Sequence, residues 1–73
     1  MATTKVVCEI PGTVCRLEAN VGDRLSEDDP IVFVESMKME IPVGAPVDGK
    51  LTEILVNEGD AVTEGQHVAT LET

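Results

Sequence analysis

The sequence has a single aromatic residue, few basic residues and no long apolar run. Phe33 stands without any Trp or Tyr. No segment approaches the ~20 apolar residues of a membrane-spanning helix, and the first residues lack the apolar stretch of a signal peptide. We therefore expect a cytoplasmic protein. Because Val is abundant and Phe33 is the single aromatic residue, we expect its core to be built from β-branched aliphatic side chains.

The scarcity of basic residues excludes two classes of partner. Five Lys and Arg against 14 Asp and Glu give a formal charge of −9. Nucleic-acid binding requires clustered Lys and Arg against phosphates, so we expect none. An anionic membrane would repel the chain for the same reason. The excess acid is typical of a solvated surface, and it is also compatible with steering toward basic partner surfaces.

Residues for metal binding or catalysis are also lacking. Cys8, Cys15 and His67 show no ligand spacing and cannot complete a tetrahedral zinc shell. A disulfide would require a tight hairpin at Pro11-Gly12, and reduced, partly buried thiols are the better interpretation. The sequence contains no Ser-His-Asp or Cys-His set and no phosphate loop, so we expect no catalytic residue and no metal site.

The chain repeats itself once at a fixed distance. Gly12 and Gly49 differ by 49 − 12 = 37 positions, and this shift aligns the two halves without a gap. An Asn-x-Gly-Asp element recurs at 20–23 and 57–60, and apolar positions agree along both halves. Agreement of this kind at one shift indicates two similar structural units.

Each half predicts about four short strands and no helix. The two-residue extended pieces are Arg24-Leu25 and Ala61-Val62, each preceded by a Gly-Asp turn. Four prolines interrupt the chain too closely for long helices. Apolar residues nowhere keep a 3.6-residue period for three turns.

Two units of this size bury their apolar faces only against each other. We therefore predict one all-β domain over residues 1–73, with no helix. It should be a flattened eight-stranded β-barrel or sandwich of two four-stranded halves related by a pseudo-two-fold axis. A chain this short buries only about 60% of its unfolded surface, so the core must be compact.

The segment 35–40 departs from the turn chemistry found elsewhere in the chain. It lies between the apolar run 31–34 and Ile41-Pro42, so the chain must reverse there if the strands pair. Its centre contains no Gly, Asn, Asp or Pro, the residues that tight reversals prefer. Glu, Met and Lys favour a helix, but six residues closed by Pro42 are too few to form one.

Such a departure from local rules often marks a functional site. The turn is predicted to hold Met37 and Met39 beside an exposed Lys38. Methionine is adaptable, and exposed apolar side chains at a hairpin tip are frequent partner contacts. The alternative is that the two Met side chains cap the core and that Lys38 is an ordinary solvated lysine.

The segment Glu35-Ser36-Met37-Lys38-Met39 resembles the Glu-Ala-Met-Lys-Met signature of biotinyl domains. These are the biotin carboxyl carrier domains of acetyl-CoA, pyruvate and related carboxylases. The resemblance extends over about 6–71. Ser36 replaces the usual Ala, and the path 17–31 leaves no room for the "thumb" loop of some acetyl-CoA carboxylase carriers.

The resemblance implies a flattened β-barrel with the modified lysine on a hairpin. It implies that a biotin protein ligase joins biotin to Nζ of Lys38 and recognises Glu35, Ser36, Met37 and Met39. Biotin would then carry carboxylate between a biotin carboxylase and a carboxyltransferase, as in an acetyl-CoA carboxylase-like system of fatty acid biosynthesis. The chain would be a carrier protein rather than an enzyme, and a monomer in isolation.

Two alternatives stay open. A lipoyl domain, or a stand-alone protein that accepts biotin or lipoyl, would share this fold, although lipoyl hairpins usually read Asp-Lys-Ala without flanking Met. A small β-domain that binds a partner without any attached group would leave Lys38 unmodified. In that protein, Met37 and Met39 would be buried in an interface.

Overall fold

Short strands and turns make up the whole of the computed structural model, which describes residues 2–73. The strands are β1 (Thr3–Val7), β2 (Gly12–Leu17), β3 (Arg24–Leu25), β4 (Pro30–Ser36), β5 (Met39–Gly44), β6 (Gly49–Ile54), β7 (Ala61–Val62) and β8 (His67–Glu72). Within this described stretch the chain forms no helix, and so none that could span a lipid bilayer.

The strands form two antiparallel four-stranded sheets. The first sheet has the order β1-β8-β6-β3 and the second the order β5-β4-β2-β7. The 37-residue shift relates β1 to β5, β2 to β6, β3 to β7 and β4 to β8, and it converts one order into the other. The predicted all-β sandwich with a pseudo-two-fold axis is confirmed. Each sheet, however, takes two strands from each half of the sequence.

The repeat extends to irregularities of strand pairing. The β2–β4 register shifts between Val14 and Arg16, and the β6–β8 register shifts between Leu51 and Glu53, 37 residues later in each case. A bulge of this kind bends its strand and increases the local twist. The two sheets therefore curve alike, as a flattened barrel requires.

The recurring Asn-x-Gly-Asp element forms the turn that its residues predict. In the first copy, the Asp23 carboxylate accepts a hydrogen bond from the Asn20 amide at 3.0 Å, and Gly22 has a φ of 100°. The second copy repeats this arrangement, with a carboxylate-to-amide distance of 2.8 Å from Asp60 to Asn57. A positive φ is readily adopted by Gly, which explains its place in both turns.

These turns tie the two sequence halves together. The Gly22 amide in the first half donates to the Leu51 carbonyl in β6 at 2.7 Å. Its counterpart, the Gly59 amide, donates to the Val14 carbonyl in β2 at 2.8 Å. Each half therefore completes the backbone hydrogen bonding of the other.

The core between the sheets is aliphatic. No charged or polar side chain is buried among the described residues. Both cysteines are free, as expected: Cys8 is buried and Cys15 is half-buried. The buried apolar residues are Val6, Cys8, Val14, Ala19, Leu25, Ile31, Val32, Val34, Val43, Ala45, Leu51, Val56, Val62, Val68, Ala69 and Leu71.

Candidate functional site

The hairpin between β4 and β5 contains the segment 35–40, whose centre has no Gly, Asn, Asp or Pro. Ser36 pairs with Met39, which leaves Met37 and Lys38 as a two-residue connection. Their φ angles are 53° and 66°. A type I′ hairpin turn requires a positive φ at both central residues, and its twist matches that of the flanking strands. The predicted reversal without a helix is confirmed.

This conformation costs free energy, because neither residue is Gly or Asn. A left-handed conformation places Cβ close to the following carbonyl oxygen, which costs about 1–2 kcal/mol per residue. Pairing of Glu35 with Glu40 and of Ser36 with Met39 fixes the length of the connection at two residues. The strands therefore impose on Met37 and Lys38 a geometry that their side chains disfavour.

The hairpin tip projects all three of its long side chains into solvent. Met37 is 92% exposed and Met39 is 63% exposed, and Lys38 is exposed between them. The alternative in which the two thioethers cap the core is therefore wrong. The only ion pair within residues 2–73 joins Arg16 to Glu18, so the Lys38 ammonium is not paired with a carboxylate. An accessible, unpaired amine is suited to covalent acylation.

Two carboxylates lie directly below the tip. Glu35 in β4 and Glu40 in β5 are cross-strand partners, and Thr13 in β2 continues the same row beside Glu35. All three side chains are exposed on the outer face of the second sheet. Like charges directly opposite each other destabilise a sheet. Folding therefore gains nothing from this pair.

Sequence reasoning did not assign Thr13 or Glu40 to the site. The register of a two-residue hairpin would have identified Glu40, because residues equidistant from the turn pair with each other. Thr13 could not be found in this way, since it reaches the site through the pairing of β2 with β4.

The outer face continues into a small stacked cluster. The Arg16 guanidinium lies 4.4 Å from the centre of the Phe33 ring. Phe33 pairs with Pro42 across the hairpin. The only aromatic side chain of the protein is therefore outside the core and next to the hairpin.

The hairpin lies at one end of a molecule that measures 37 × 19 × 18 Å. At the other end, the Thr73 amide donates to the Ala2 carbonyl at 2.8 Å. β1 leads from there toward Gly12, which lies against the Glu35 backbone below the hairpin. Ala2 and Thr73 are therefore remote from Lys38.

His67 lies outside this site. It begins β8, as the repeat predicts from Pro30 at the start of β4. Its ring is half-buried, with Nε2 2.9 Å from the Thr70 hydroxyl oxygen. No group of three or more metal-ligating side chains forms within residues 2–73.

We expect Met37→Asn to stabilise the fold. Asn adopts positive φ more readily than Met, so about 0.5–1 kcal/mol of the turn's cost should be recovered. Chemical denaturation of the unmodified proteins measures this gain. Met39→Asn is the control: it also removes an exposed thioether, but from a strand position, where Asn is disfavoured. Equal stability changes in the two variants would contradict the argument.

Comparison with known proteins identifies the family of this chain. Residues 4–71 match the biotin/lipoyl family model described as "Biotin-requiring enzyme". The biotinylated protein TB7.3 homolog of Mycobacterium leprae is 38% identical over 66 residues, covering 90% of this chain and 93% of that protein. The biotin carboxyl carrier protein of Streptococcus mutans is 34% identical over 70 residues, covering 96% of this chain.

The solved structure of Kluyveromyces lactis urea carboxylase contains a similar fold. It superimposes with a TM-score of 0.93 at 33% identity over 99% of this chain. The chain spans 54% of the length of the S. mutans protein and 6% of the urea carboxylase chain. Because the family model covers most of the sequence, the chain belongs to the biotin/lipoyl attachment family and is a biotinyl domain.

Proposed function

We propose that this chain is a biotin carboxyl carrier and that biotin is attached to Nζ of Lys38 through an amide. One observation carries the proposal: Lys38 is exposed at a type I′ hairpin tip between two exposed thioethers. The match to a biotin-requiring family supports biotin as the group attached.

A biotin protein ligase would have to find this lysine among three. Lys5 and Lys50 lie within β1 and β6, whereas Lys38 lies in a turn. Met37 and Met39 offer apolar contacts on both sides of the amine, and Glu35 offers a charge below it. Ser36 pairs with Met39 at the base of the turn and is half-buried, so it offers the ligase a smaller contact than the other three residues.

The chain's own contribution is presentation. An amine and a free carboxylic acid do not form an amide unaided in water, so the ligase must supply an activated biotin and position the amine against it. Biotin, once attached, supplies the carboxyl-carrying chemistry. The domain holds the attachment point on a hairpin whose strands are paired up to Ser36 and Met39, and it has no catalytic role of its own.

The partners that this function requires are a biotin carboxylase and a carboxyltransferase. A tethered group reaches each active site at an effective concentration of order mM for short flexible linkers. Weak docking is necessary, because tight binding at one enzyme would prevent transfer to the next. An acetyl-CoA carboxylase-like system is our proposal for the setting.

Intact mass measurement after treatment with each of two ligases tests the attached group. With biotin ligase, biotin and ATP, we expect one biotinyl group per chain. With lipoate ligase, lipoate and ATP, we expect none, because lipoyl hairpins lack the flanking Met residues. Lipoylation in place of biotinylation would make the chain a lipoyl domain, and no modification by either ligase would make it an unmodified β-domain.

A further inference from the structure

A groove separates the two sheets along one side of the sandwich. It lies between β1 and β5, which are the outer strands of their sheets and are related by the pseudo-two-fold axis. Its volume is about 350 Å³, and the apolar part of its lining includes Val7, Ile10, Ile41, Pro42 and Val43. This volume is within the range of small-ligand pockets, at its lower end.

An apolar track connects the hairpin with this groove. Met39, Ile41 and Val43 point to the same side of β5, because alternate residues of a strand share a face. Met39 is 63% exposed, Ile41 is half-buried and Val43 is 8% exposed. The track therefore descends from the lysine hairpin into the groove without an intervening polar side chain on that face.

A biotinyl arm on Lys38 would be long enough to reach the groove. Lys38 and Ile41 are three residues apart, which corresponds to about 10 Å along a strand. The lysine side chain and the acyl chain of biotin together contribute about ten bonds before the ring system. Extended, they span about 12 Å at the advance per bond of an extended chain.

The groove also suits the chemistry of biotin. Its apolar side chains would cover the acyl chain and the thioether ring, whose removal from water is favourable. Glu9 and Asp28 line the same groove and present acceptors that match ureido N–H groups, and Lys5 presents a donor that matches the ureido carbonyl.

We propose that the biotinyl arm of Lys38 folds back into the β1–β5 groove when no partner enzyme engages it. This inference rests on the proposed function. The groove is then a resting site that holds the arm against the domain, and partner enzymes take the arm from it. Docking must be weak, since transfer between enzymes requires release.

Nuclear magnetic resonance on isotope-labelled protein tests the proposal, after intact mass has shown complete biotinylation. Comparing biotinylated with unmodified chain, we expect methyl shift changes at Val7, Ile10, Ile41 and Val43. We also expect nuclear Overhauser contacts between these methyl groups and the arm. Changes confined to 36–39 would overturn the groove as a resting site while leaving biotin attachment intact.

A pair of matched variants separates docking from a general effect of modification. Val7→Lys places a charged side chain in the groove at a position that is already 41% exposed on an outer strand. It should remove the contacts at Ile41 and Val43. Val21→Lys makes the same replacement in a turn outside the groove, where Val21 is 59% exposed, and should preserve them.

Persistence of the contacts in Val7→Lys would contradict the proposal, as would their loss in Val21→Lys. The failure of the proposed function has a different signature, because it appears at the first step as a chain that biotin ligase does not modify. In that case the groove has no arm to receive, and both proposals fail together.

Discussion

Replacing Lys38 by Arg is expected to abolish biotin attachment completely. Arg keeps the positive charge and the long side chain, but its guanidinium remains protonated and offers no free amine for an amide bond. Lys5 and Lys50 remain in the variant as exposed lysines. Intact mass after prolonged treatment with biotin ligase should show one biotinyl group on the natural chain and none on Lys38→Arg.

The two remaining lysines make this experiment internally controlled. Lys5 lies in β1 opposite Thr70, and Lys50 lies in β6 opposite Arg24 and Glu72, so neither occupies a turn. Biotin on either lysine would show that the hairpin is not the attachment site. The variant should unfold at the same denaturant concentration as the natural chain, because Lys38 makes no ion pair with residues 2–73.

Gly12→Ala should reduce both stability and biotinylation. A Cβ atom at Gly12 would lie 2.5 Å from the Glu35 carbonyl oxygen and 2.6 Å from a Val34 methyl carbon. Because the carbonyl belongs to the paired strand, β2 and β4 must move apart, and overpacking of this kind costs about 1–3 kcal/mol. The displacement falls three residues before Lys38, so we expect slower modification by biotin ligase even when the protein is folded.

Gly49→Ala is the matched control supplied by the repeat. Its Cβ atom would lie 2.8 Å from the Glu72 carbonyl oxygen, so a comparable loss of stability is expected. Gly49 packs against β8 rather than against the hairpin strand. Denaturant unfolding measures the stability of each variant. Initial rates of biotinylation, measured under conditions where both variants are folded, show how far each substitution disturbs the Lys38 hairpin. Equal loss of rate in the two variants would indicate that Gly12 acts through stability alone.

Much of the fold could be predicted because its turns have local chemistry. Arg24-Leu25 and Ala61-Val62 were predicted as two-residue extended pieces, and they are β3 and β7. Gly and Asp in the preceding turns determine where those strands begin, through a positive φ and a side-chain hydrogen bond. The Gly and the Asp of each turn lie within four consecutive residues, so these turns can be predicted without knowing how the strands pair.

The strand order could not be predicted in the same way. A 37-residue repeat is compatible with each half forming its own sheet, whereas the structure interleaves them. The pairings that decide between these arrangements, such as β2 with β7 and β1 with β8, join residues far apart in sequence. These pairings depend on how the two halves pack against each other, and no short sequence pattern contains that information.

The site was only partly predictable for a related reason. Lys38 and the turn around it follow from the residues, but the exposure of Met37 and Met39 depends on which two residues occupy the connection. A register shifted by one residue would turn every side chain of a strand to the other face. The β1–β5 groove was not anticipated, since it exists only where two sequence-distant outer strands face each other.

The hydrogen bonds between the halves also bear on when the lysine becomes available during synthesis. β2, which supports the hairpin strand β4, is itself bonded to β7 and to the turn at Gly59. While these late residues are still on the ribosome, the hairpin has little support, and an isolated hairpin is marginally stable. At about 5–20 residues per second, the 24 residues from Lys38 to Val62 at the end of β7 take about 1–5 s to translate. A ligase that requires the formed tip would therefore act only after β7 has also been synthesised, and not as soon as Lys38 appears.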